Sequence, residues 1–116
     1  MENNKRRRGK IELMIELLLD TISNKEIRVG LRIDGKEFVK KKKIKLRGGV
    51  QVILPLIDQL LKEQKVDLKD LSSIIVNVGE GSFTGLKVGL SIANALSFSL
   101  KIPVFKKEFD SGILKG

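Results

Sequence analysis

A β-branched run, Ser72-Ser73-Ile74-Ile75-Val76-Asn77-Val78, stops at Gly79-Glu80-Gly81-Ser82. It gives way at once to apolar residues at helical spacing from Phe83 to about Leu100, and Ile102-Pro103-Val104-Phe105 then resumes a strand pattern. Strand, turn, helix, strand in such close succession predicts a parallel crossover, because strands joined through a helix run the same way in one sheet. Ser82 stands where a helix N-cap belongs, its hydroxyl able to accept from an unpaired first-turn N–H. This unit places the chain in the α/β class.

Upstream, Ile27, Val29, Leu31 and Ile33 alternate with Arg28, Gly30 and Arg32, the pattern of a half-buried strand. Asp34-Gly35 is a strong two-residue hairpin signal. Phe38 to Leu46 returns as a lysine-rich strand, suited to a sheet edge that must resist further pairing. Residues 11–20 read two ways. Glu12 and Glu16 sit four apart and favour a helix, whereas Leu17-Leu18-Leu19 before Asp20-Thr21 suits a strand buried on both faces. Ser23-Asn24-Lys25 is a turn. After the break at Gly48-Gly49, Val50, Ile53, Leu54, Ile57, Leu60 and Leu61 recur at helical spacing to about Lys65, with Pro55 one turn in.

The expected order is therefore βββαβαβ: an antiparallel meander feeding two parallel crossovers, a mixed five-stranded sheet with both helices on one face. That is a ribonuclease-H-like half-fold. Residues 1–10 read as a basic flexible arm, 11–106 as the folded lobe and 107–116 as a polar, weakly patterned tail.

At 116 residues the chain makes one domain, and it holds no Cys, His, Trp or Tyr. Disulfide frameworks, thiolate or imidazole metal sites and every His-dependent triad are thereby excluded. The net charge of +9 is local: residues 1–10 carry +4 and residues 36–47 carry +6, which leaves −1 elsewhere. Glu12, Glu16 and Asp20 interrupt what would otherwise resemble a signal peptide, and no apolar run looks long enough for a membrane span. The expectation is a cytoplasmic protein without a membrane segment.

The segment Gly79-Glu80-Gly81-Ser82-Phe83-Thr84-Gly85-Leu86-Lys87-Val88-Gly89 resembles the signature of the TsaB (YeaZ) family, G-P-G-S-F-T-G-[LV]-[RK]-[IV]-G, at ten of eleven positions. Leu18-Leu19-Asp20-Thr21 is similar to that family's opening strand, Leu54-Pro55-Leu56-Ile57-Asp58-Gln59-Leu60-Leu61 to its first helix, and Ile102-Pro103-Val104 to its closing strand. Glu80 replaces a proline, Ile22 interrupts the D-T-S element, and Gly48-Gly49 stands where many members carry His-Ser. The resemblance implies the first lobe of the two-lobed, actin-like ASKHA architecture. It also implies a non-catalytic scaffold in making threonylcarbamoyladenosine at position 37 of tRNAs that read ANN codons. The implied partners are the transferase paralogue TsaD (as a heterodimer), a second copy (as a homodimer), and the ATPase TsaE.

The residues themselves favour binding over chemistry. A glycine turn before a helix can hold phosphate, but Glu80 opposes an anion, so a tight turn is the plainer reading and no cofactor is expected. Ser82 and Thr84 read as helix-capping hydroxyls rather than nucleophiles, and Asp20 as a turn carboxylate rather than a metal ligand or base. No catalytic or metal residue is therefore expected. The second helix is apolar or small over roughly 220° of its circumference, twice what one sheet face needs. Gly85, Gly89 and Ala93 line one side of it and suggest close approach of another helix. The expected partner interface is Val52 and Leu56 from the first helix with Gly85, Val88, Gly89, Ile92, Ala93 and Leu96 from the second. A weak tRNA contact would use Arg6, Arg7, Arg8, Lys41 and Lys43, and a small basic RNA-binding module on this fold is the alternative function.

Overall fold

The computed structural model describes residues 7–8, 11–44, 49–109 and 114, with the side chains of 7–8 and 11–12 left aside. Most of the expected arm, the far end of the lysine strand and most of the tail lie outside the described residues. Arg7–Arg8 (β1) pairs antiparallel with Ile11–Glu12 (β2) as a short ribbon. The main sheet follows: Ile15–Asp20 (β3), Glu26–Ile33 (β4), Lys36–Lys43 (β5), Ser73–Asn77 (β6) and Val104–Lys107 (β7). Helices Val50–Glu63 (α1) and Phe83–Leu100 (α2) complete the fold. The strand order is β5-β4-β3-β6-β7, antiparallel through the meander and parallel from β3 through β6 to β7. This is the expected single ribonuclease-H-like lobe.

The ambiguous segment 11–20 resolves as a strand. β3 lies between β4 and β6, and Ile15, Leu17, Leu18 and Leu19 are wholly buried. Burial of both faces outweighs the helix propensity of Glu and Leu, since each such side chain contributes about 1.5–3 kcal/mol when removed from water. The Asp34-Gly35 turn has φ values of 49° and 86°, the two positive angles of a type I′ hairpin. β7 starts two residues later than its sequence pattern. Ile102 N–H instead donates back to the Ser97 carbonyl, closing the end of α2, and the Pro103 carbonyl accepts from Ile74 N–H.

α1 starts at Val50 and runs through Pro55. The donor that Pro55 lacks would have served the Gln51 carbonyl, and both residues sit on the exposed side, where water replaces it. Both helices cover the same sheet face. Ile53, Ile57 and Leu60 of α1 and Ile92 and Ala93 of α2 pack with Leu17, Leu19, Val29, Leu31, Ile74 and Val76. By length and composition α2 passes as a membrane span, contrary to expectation, but its inner flank is part of this core.

The opposite sheet face is a mixture. Glu16, Arg32 and Glu37 align across β3, β4 and β5, with Arg32 bonded to Glu16 at 3.2 Å and to Glu37 at 3.0 Å. The Glu37 hydrogen bond, foremost, raises the Arg32 guanidinium above its ordinary value. Beside that triad, Leu18 and Ile75 form a small apolar floor under Leu114.

Candidate functional site

The motif turn hangs on the ends of β3 and β6. Asn77, the last residue of β6, accepts through Oδ1 from Gly79 N–H at 3.0 Å and from Phe109 N–H at 3.1 Å, and its Nδ2 donates to Asp20 Oδ1 at 3.1 Å. Ser82 N–H reaches the Ile22 carbonyl at 2.7 Å, and Ser82 Oγ accepts from Gly85 N–H at 3.0 Å, the N-cap bond that starts α2. A polar cavity of about 400 Å³ opens beside the turn, bounded by Ile22, Asn77, Gly79, Glu80, Glu108 and Phe109. Two carboxylates on its wall make it a poor seat for phosphate.

Asp20 is 4% exposed and fully engaged. Its Oδ2 takes Arg28 Nη2 at 2.6 Å and Nε at 3.2 Å. An aspartate held this way is paired in place and poorly available to a cation. Among the described residues no cluster of three acidic side chains is close enough to hold a metal.

The glycines of the motif face inward. A Cβ on Gly81 would lie 2.5 Å from the Ile22 carbonyl oxygen, one on Gly85 would overlap the Thr21 carbonyl, and one on Gly89 would overlap Thr21 Oγ1. Where Gly85, Gly89 and Ala93 were expected to receive another helix, Gly85 and Gly89 instead meet Thr21, the residue just after β3 in the same chain, and Ala93 is buried in the core. This corrects five of the eight expected interface residues: Leu56, Gly89, Ile92 and Ala93 are buried within the fold, and Gly85 rests on Thr21. Val52, Val88 and Leu96 remain half-buried at the margin of the outer face.

That outer face carries residues the expected set lacked. Phe83 is 72% exposed and Phe98 88%, at opposite ends of α2, while Val50 and Leu54 on α1 are exposed by 41% and 44%. Lys87 Nζ sits 5.4 Å from the centre of the Phe83 ring. Between the helices lie two shallow grooves. One, about 340 Å³, is lined by Val50, Phe83, Thr84, Lys87, Val88 and Ser91. The other, about 260 Å³, is bordered by Leu54, Ile57, Leu61, Leu68 and Leu96. The sequence signal for this face was the spacing of Phe83, Lys87, Ser91, Asn94 and Phe98, which mixes aromatic and polar residues and so does not read as one apolar stripe.

Of the basic residues, Lys41 and Lys43 are exposed on edge strand β5, side by side on the face away from the helices. Lys40, on the other side of that strand, pairs with Glu63 of α1 at 2.6 Å. Arg6 and the side chains of Arg7 and Arg8 lie outside the described residues.

Residues 43–106 match the family model described as TsaD: tRNA N6-adenosine threonylcarbamoyltransferase. The tRNA threonylcarbamoyladenosine biosynthesis protein TsaB of Buchnera aphidicola subsp. Schizaphis graminum is 47% identical over 53 residues, 46% of this chain and 25% of that protein. The tRNA N6-adenosine threonylcarbamoyltransferase of Nitrosospira multiformis is 45% identical over 58 residues, 50% of this chain and 17% of that protein. The fold superposes on YeaZ from Pseudomonas aeruginosa with a TM-score of 0.73 at 28% identity, covering 82% of this chain and 43% of that one. The chain thus spans about a quarter or less of the curated relatives it matches and under half of YeaZ. It belongs to the family that the threonylcarbamoyltransferase model describes, on its TsaB/YeaZ side.

Proposed function

We propose that this chain serves in tRNA threonylcarbamoyladenosine biosynthesis as a non-catalytic TsaB-like scaffold, docking a TsaD-like transferase through the outer face of α1 and α2. The observation that carries this reading is the contrast between a polar surface at the motif turn and an apolar one on the helices. At the turn, the side chains with chemical potential are already committed to holding the fold. Asp20 is bound by Arg28, Ser82 caps α2, and the Thr21 hydroxyl donates to the Gly85 carbonyl. On the helix face, by contrast, Phe83, Val50 and Leu54 stand in water around two grooves, and Phe98 is exposed further along α2. Exposed aromatics beside apolar grooves are the usual composition of a docking patch.

The same face serves a second copy of the chain if no paralogue is present, so homodimer and heterodimer compete for it. TsaE would join that assembly rather than bind alone. Co-purification of the chain with the TsaD-like protein of the same genome tests the proposal: retention is expected, and its loss on Phe83→Asp with Phe98→Asp. Retention of the variant to the same extent counts against it.

A small RNA-binding module remains the alternative, favoured by Lys41 and Lys43 on the exposed edge. Arg28, Arg32 and Lys40 spend their charge on Asp20, Glu16, Glu37 and Glu63, which leaves that patch narrow. Salt-sensitive tRNA binding lost with Lys41→Glu and Lys43→Glu would support it over docking.

A further inference from the structure

Gly30 occupies the middle of β4, where a glycine weakens a strand and often marks close approach of another group. That group is Leu114. A Cβ on Gly30 would overlap the Leu114 side chain, which is wholly buried over Leu18 and Ile75 with Val39 and Phe109 alongside. The backbone of Leu114 is held from two sides as well. Its N–H donates to Glu37 Oε1 at 3.2 Å, and its carbonyl accepts from Arg28 Nη1. Its φ of 54° is one that leucine rarely adopts. Side chain, N–H and carbonyl of one residue are each met by a different part of the sheet.

We infer that the sheet face opposite the helices carries a slot that recognises a single leucine of a polypeptide, filled here in cis by Leu114, and that its occupancy sets the motif turn. The slot and the turn share a continuous network. Arg28 reaches Leu114 with Nη1 and Asp20 with Nη2 and Nε; Asp20 takes Asn77; Asn77 holds both Gly79 N–H and Phe109 N–H. With the slot empty, Arg28 loses one of the two anchors that fix its plane against Asp20, and the geometry at Gly79 relaxes with it. Glu37 links the slot also to Arg32, so both charged walls of the slot belong to ion pairs already formed by the sheet.

A double-mutant cycle on the full chain tests this, with Gly30→Val and Leu114→Ala followed by urea unfolding. Each single change should raise the unfolding constant by roughly 10-fold or more, since one evicts a buried leucine and the other empties its site. Together they should be no worse than one alone, because the valine fills what Leu114 vacates. In amide spectra, Leu114→Ala should shift Gly79 while leaving Gly35, at the far hairpin, in place. Additive effects, or an unmoved Gly79, overturn the proposal. Should Gly30→Val not fold, the Leu114→Ala chain decides alone: an unchanged unfolding constant or an unmoved Gly79 overturns the inference, and loss of stability with a shifted Gly79 upholds it.

Discussion

The Thr21 hydroxyl donates to the Gly85 carbonyl oxygen at 2.7 Å, and no side chain can stand on Gly85 without striking the Thr21 backbone. One contact thus joins the residue just after β3 to the first turn of α2. It fixes which flank of a helix that is apolar or small over more than half its circumference turns inward, and so which flank is left for a partner.

Gly85→Ala should therefore destabilise the chain, although alanine ordinarily improves a helix over glycine by about 1 kcal/mol. Overpacking against a strand backbone that cannot retreat is expected to outweigh that gain, for a net loss of about 1–3 kcal/mol. Urea unfolding reads it, with Asn94→Ala on the exposed flank of α2 as the contrasting change of near-zero or favourable sign.

Replacing Asp20 by Ala should lower stability by about 2–3 kcal/mol, because Arg28 loses its closer counter-charge, keeping only Glu26 at 3.9 Å, and Asn77 loses an acceptor. The figure sits below the 3–5 kcal/mol of a fully buried pair since the Arg28 side chain is about a quarter exposed. Arg28→Met together with Asp20→Asn should recover part of that loss, as measured by thermal unfolding, because neither charge is then stranded.

Ser82→Ala removes the N-cap bond to Gly85 N–H and should cost about 1 kcal/mol, while Ser82→Asp should keep most of the stability by supplying another acceptor beside the positive end of the helix. Hydrogen exchange at Gly85 is the local check. Protection should fall in the alanine variant and persist in the aspartate variant.

Much of the fold was legible in the residues. The Asp34-Gly35 hairpin, the Ser82 cap and the span of α2 follow from local chemistry and appear where the pattern puts them. Segment 11–20 was not decidable locally, since Leu17-Leu18-Leu19 suits a helix or a doubly buried strand, and only flanking by β4 and β6 separates the two. The candidate site was half legible. Apolar excess on α2 was visible, but the direction of the glycine flank depends on Thr21, more than sixty residues away. Leu114 carried no signal at all: a lone leucine in a polar stretch gains meaning only from the gap over Gly30.

Docking through the outer face of α1 and α2 is read by size-exclusion chromatography with light scattering on a mixture with the TsaD-like protein. The native chain should form a complex, and the Phe83→Asp plus Phe98→Asp chain one at least about tenfold weaker, with an unfolding midpoint close to native because both rings are exposed. A native chain that elutes alone as a monomer at every concentration, or a doubly substituted chain that assembles as well as the native one, would contradict it.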